Sequence, residues 1–177
     1  MQLRPEIQIQ SMIKAMMEVV LPAVDPSNEL AVQQAQLVVG HLSIFAQRLP
    51  LQYRYDRDAL DRLIALAADL KAAGAGGDSS LEQAAGIGAK VLERAKADPA
   101  ELVQAARALT AAMDTSIRKV FAEGDEATQS RVEKVTLAMG REQLLRDRAW
   151  LIMQGWEPDP ASVPAIDTLL APTPAQG

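Results

Sequence analysis

Beyond the short "EIQIQ" and "LQYRYD", apolar and polar residues do not alternate in this sequence as they would along a half-buried strand; apolar residues mostly recur three and four positions apart instead. That period confines the chain to helices, and turn residues cut it into six stretches. Pro5 suits a first helical turn and is followed by Ile7, Ile13, Met16, Met17, Val20 and Val24, with Pro22 expected to bend or end the helix. "DPSNEL" restarts the chain with Asp25 or Ser27 as N-cap, and a second helix runs to about Leu49, where Pro50 stops it. The third helix starts from Asp56 or Asp58 in "YDRD" and turns Leu60, Leu63, Ile64, Ala67 and Leu70 to one side. Ser79 or Ser80 caps the fourth, whose Leu81, Ala85, Gly88, Leu92 and Ala95 make a narrow small-residue stripe. "DPAE" opens the fifth as a capping box, with Asp98 at the cap, Pro99 first and Glu101 reaching back. Its core stripe is Leu102, Ala106, Leu109, Met113, Ile117 and Val120. Gly124 breaks it, and the sixth helix runs from about Glu126 to Gly155.

The expected fold is all-α: a single-domain bundle of about six helices over residues 1–156, and a Pro/Ala-rich C-terminal tail over 157–177. Five of the ten prolines fall in that tail, so it lies over the surface, docked through Ile166, Leu169 and Leu170.

Composition removes several chemistries. Without cysteine there is no disulfide, no thiolate nucleophile and no sulfur-ligated zinc. A net charge of −5 argues against nucleic acid, and the basic residues of the sixth helix (Arg131, Lys134, Arg141, Arg146, Arg148) are diluted by Glu133, Glu142 and Asp147. The start, "MQLRPEIQIQ", lacks a signal-peptide layout, and no run approaches the roughly 18 apolar residues of a membrane helix. A cytoplasmic protein with no membrane insertion is expected.

The second helix departs from the usual pattern. Between Glu29 and Arg48 it carries no formal charge, whereas surface helices normally charge their outer face. Leu30, Leu37, Val38, Leu42, Phe45 and Leu49 form a wide apolar arc. Gln33, Gln36, Gly40, Ser43 and Gln47 form an amide-rich seam with gaps of three and four. Two readings fit: a helix enclosed by its own chain, or a face for a partner or a second copy. The sixth helix adds Leu137, Leu144 and Leu151, seven apart, beside a separate stripe of Val132, Val135, Met139, Trp150 and Met153. Glu142 and Arg146, four apart, read as a solvated ion pair.

Candidate chemistry is sparse. His41, the chain's only histidine, falls between Leu37 and Phe45 and reads first as a core histidine; no serine, carboxylate or second histidine is spaced to partner it. The alternative is a ligand pocket of His41, Tyr53, Arg54 and Tyr55 at the elbow around Pro50. Metal chemistry lacks Glu-x-x-His pairs, and Asp56, Asp58 and Asp61 are interleaved with Arg54, Arg57 and Arg62, which favours ion pairing. "GAGGDSS" reads as a connector and "GIGAK" as a notch for helix contact. Met12, Met16 and Met17 would suit a hydrophobic or acyl guest. No catalytic motif and no cofactor site is expected.

The stretches "VVLPAVDPSNELAVQQAQLVVGHLSIFAQRLPLQYRYDRDAL" and "REQLLRDRAWL" resemble those of small all-α bacterial proteins without an assigned activity, encoded near acyl-CoA dehydrogenase-like and phosphotransferase-like enzymes. The resemblance covers the first 60 residues best and transfers no site residues. It implies an accessory role near acyl-CoA or lipid catabolism. The function expected is thus a non-enzymatic interaction protein, self-associating or bound to a protein partner; the alternative is a binder of a small hydrophobic or acyl ligand, or an unusual enzyme, with a pocket near His41.

Overall fold

A computed structural model of the chain describes residues 5–76, 79–94, 97–152, 155 and 157–170. Six long helices run in the order expected: α1 (Pro5–Ala15), α2 (Glu29–Arg48), α3 (Gln52–Leu70), α4 (Ser79–Glu93), α5 (Pro99–Glu123) and α6 (Glu126–Leu151). A one-turn helix, α7 (Ile166–Leu169), closes the order, and no strand occurs among the described residues. At about 1.5 Å per residue, α5 and α6 are each nearly 40 Å long.

Local chemistry accounts for the boundaries, with some departures. Pro22 ends the first helix within one residue, as expected. The chain widens into a π-helical turn over Met16–Val20 and continues helically over Leu21–Ala23, until Val24 turns extended. A wide turn beside a proline accommodates the missing N–H and the bulk of the ring. The N-cap of α2 is Asn28, whose side chain accepts from Ala31 N at 3.1 Å. Asp25 instead accepts from the backbone and hydroxyl of Ser27, one turn too early to cap. After Arg48 a 3-10 turn over Leu49–Leu51 lets α3 begin at Gln52, ahead of the aspartates expected to start it. The Asp98 capping box is present with both of its reciprocal bonds.

The chain divides into two units, Met1–Gln52 with Asp147–Ile166, and Tyr53–Arg146 with Asp167–Gly177. In the second unit α3, α4, α5 and the first part of α6 share one core. Leu60, Ala67 and Leu70 meet Leu81 and Val91, then Leu102, Leu109, Met113 and Val120, and Val132. Gly88 in "GIGAK" is the notch this core needs, since a Cβ there would stand 3.2 Å from Leu60 Cδ1 and 3.3 Å from Ile64 Cδ1. Gly74 follows α3 at φ +110°, where a Cβ would approach Thr128 Cγ2 to 2.7 Å.

In the first unit α1 packs along α2. The tail docks in both units: Val163 and Ile166 are buried in the first and Leu170 in the second, with Leu169 half-buried. Ala95, Met153, Trp156 and the tail beyond Leu170 lie outside the described residues.

Candidate functional site

The inward side of α2 is its small one. Ala35 and Ile44 are buried, and Ala31, Val32, Val39, Leu42, Ser43 and Ala46 are half-buried. The apolar arc expected to pack inward mostly points out. Leu30 is 66% and Phe45 59% exposed, with Leu37, Val38 and Leu49 exposed as well; Leu42 alone of the arc is half-covered. Small side chains let α1 approach α2 closely, and dense contact there outweighs the larger area of the leucines. Gln33, Gln34, Gln36, Gly40 and Gln47 are also exposed. Ser43 is half-buried and donates back to Val39 O at 2.9 Å. The reading of α2 as a helix enclosed by its own chain is therefore corrected: it is a surface helix without charge.

His41 is exposed on this face among Leu37, Val38 and Phe45, which corrects the expectation of a core histidine. The charge that ends the neutral stretch does not reach the face. Arg48 is buried, its Nε and Nη2 donating at 3.0 Å to the carbonyls of Trp150 and Ala149, and its guanidinium lies 5.2 Å from the Trp150 ring centre. A cation placed on the last carbonyls of α6 satisfies groups the helix leaves open.

On α6 the seven-residue stripe of Leu137, Leu144 and Leu151 is exposed throughout, while Val132 is buried and Val135, Met139 and Trp150 are half-buried. Charged residues edge the stripe, with Glu133, Arg141 and Asp147 exposed beside it.

The other members of the sequence-predicted pocket are engaged in holding the second unit together. Tyr53 lies under the Arg57 guanidinium at 5.9 Å, and Arg57 donates to the carbonyls of Leu92 in the last turn of α4 (2.7 Å) and of Arg94 just past it (3.3 Å). Arg54 donates to the Leu170 and Asp167 carbonyls at 2.8 and 3.1 Å and pairs with the Asp167 carboxylate at 3.4 Å. Tyr55 carries Arg146 over its ring at 4.7 Å, and its hydroxyl accepts from Gln143 Nε2 at 3.3 Å.

Sequence reasoning expected ion pairs among the aspartates and arginines of "YDRDALDR" but missed Arg146, which joins them in a charge cluster of this unit. Arg146, 1% exposed, places Nη2 2.6 Å from Asp58 Oδ2, a close ionic contact without hydrogen-bond alignment. Arg62 Nε reaches the same oxygen at 2.9 Å, and its Nη1 pairs with Glu142 at 2.8 Å. The expected solvated pair of Glu142 with Arg146 is thereby replaced by two pairs that cross between helices. Beside it an open groove of about 750 Å³ runs between α3 and α6, lined by apolar residues that include Ala65, Leu66, Val135, Ala138 and Met139. Arg62, Arg131 and Lys134 line it as well, together with the carboxylates of Asp69 and Glu142.

No group of three metal-ligating side chains gathers among the described residues, and no described helix is long and apolar enough to cross a membrane. No protein-family model matches the chain, and no curated protein or solved structure compared with it is similar.

Proposed function

We infer that the chain is a cytoplasmic, non-enzymatic association module that pairs with a second copy of itself through the outward face of α2. One observation supports this above the rest: a helix of twenty residues presents leucine, valine and phenylalanine to solvent with no ionic group among them. Monomeric proteins rarely leave a contiguous apolar patch of this kind uncovered. An accessory role beside enzymes of acyl-CoA or other lipid catabolism, which the resemblance implies, suits such a module.

Sedimentation velocity from low micromolar to high micromolar concentration tests it. The wild-type chain should move toward a dimer, and Phe45→Glu should hold it monomeric with unchanged helicity, because the position is exposed. A wild-type chain that stays monomeric throughout removes the reading.

The groove between α3 and α6 favours a second reading, a hydrophobic or acyl ligand lying along its apolar lining with an anionic group toward Arg131 and Lys134. Thermal stabilisation by acyl-CoAs, lost in Ala138→Trp, would support it. No shift with any chain length would discard it.

A further inference from the structure

The exposed stripe of α2 has the same spacing in both directions. Its members are Leu30, Gln34, Leu37, Val38, His41 and Phe45, all exposed, and their spacings are 4, 3, 1, 3 and 4 residues. At about 100° per residue all six fall within one arc of the helix surface. The chemistry is symmetric as well: an apolar pair at the centre, a polar residue on either side, and a large apolar residue at each end. A stripe that maps onto itself when its direction is reversed meets the requirement of a two-fold interface, where the same patch serves both partners.

We propose that two copies pair α2 against α2 in antiparallel register, with the two-fold axis between Leu37 and Val38; this rests on the self-association reading above. The register sets Leu30 against Phe45 of the second copy, Gln34 against His41, and Leu37 against Val38. The amide of Gln34 then faces an imidazole rather than an apolar side chain. Each of the two polar groups gains a hydrogen-bonding partner, which offsets the cost of taking it out of water. Between Glu29 and Arg48 there is no carboxylate, lysine or arginine to desolvate, and no like-charged pair to oppose.

The area is that of a modest pair. Leu30, Leu37, Val38 and Phe45 offer roughly 400 Å² per copy, and with Gln34, His41 and the glutamine rim two copies approach the roughly 1,200 Å² at the lower bound for a stable pair. The glutamines at 33, 36 and 47 lie to one side of the stripe and can hydrogen-bond across the rim or to water, so that edge needs no ion pairs.

The chain has no cysteine, so single cysteines report the register cleanly. Val38→Cys, Leu30→Cys and Phe45→Cys are prepared separately and treated with a short bismaleimide linker at a concentration where sedimentation shows the wild-type dimer. In the antiparallel register Val38→Cys couples to itself, because its two copies lie beside the axis. Leu30→Cys does not, since its copies stand about 22 Å apart along the helices at 1.5 Å per residue. A mixture of Leu30→Cys and Phe45→Cys yields the mixed dimer. Self-coupling of Leu30→Cys, or a persistent dimer in which Val38→Cys fails to couple, overturns the register while leaving self-association standing. A wild-type chain that never dimerises overturns both.

Discussion

Asp58 stands between two guanidinium groups at 6% exposure, and the consequence of removing either partner follows from burial. A buried ion pair contributes little over an apolar replacement, but one partner left alone carries the whole desolvation cost. Asp58→Asn keeps the shape and leaves Arg146 without its counter-charge, so it should lower unfolding stability by about 3 kcal/mol or more, read from urea denaturation. The double change Asp58→Leu with Arg146→Met should recover most of that loss. Equal stability of Asp58→Asn and wild type would show the pair to be solvated. Only the Arg62 half of this cluster was legible in the sequence. "YDRDALDR" announces that aspartates and arginines will pair, yet the partner that buries Asp58 lies 88 residues further on, and spacing along one helix carries no information about it. Glu142 and Arg146 illustrate the converse: a local i, i+4 rule named a pair, and two longer-range partners outcompeted it.

Helices, by contrast, are local, and their ends were readable where one strong signal stands alone. Asp98 and Gly124 mark boundaries because capping is decided within four residues, whereas Asn28 caps α2 in a stretch that also offers Asp25 and Ser27. Asp125 does the same for α6: its carboxylate accepts from Thr128 N at 2.6 Å, and that bond, then the Thr128 hydroxyl, holds its pKa below the ordinary carboxylate range. A carboxyl with a depressed folded-state pKa stabilises the fold above its unfolded pKa and ceases to do so as pH falls through the folded value. Asp125→Asn should therefore melt slightly below wild type at pH 7, and the two curves should converge in the acid range where Asp125 is protonated. A deficit that stays constant down to pH 2 would count against the charged cap. What a local rule could not decide was which side of α2 faces in. Direction is usually read from charge, since ionic residues mark the outside, and α2 has none along 18 residues. With that signal absent, the larger leucine arc looked like the core side, but the alanine side packs more closely.

At the scale of the whole molecule, each copy carries a net charge of −5 while the proposed contact carries none. These two facts act in opposite directions as salt changes. Copies of like charge repel over a distance set by the Debye length, about 10 Å at 0.1 M and near 3 Å at 1 M. Added salt weakens that repulsion and leaves the contact between Leu30, Leu37, Val38 and Phe45 untouched, so self-association should tighten modestly from 0.05 to 0.5 M sodium chloride. An interface built instead on the α6 stripe, where Glu133, Arg141 and Asp147 flank the leucines, would lose ion-pair attraction over the same range and weaken. Sedimentation equilibrium across a salt series distinguishes the two. A dimer that loosens as salt rises would move the contact from α2 to α6, and calorimetry at several temperatures adds a second criterion. Burial of the α2 face should give a negative heat-capacity change on association, and a value near zero would mean that little apolar surface leaves water.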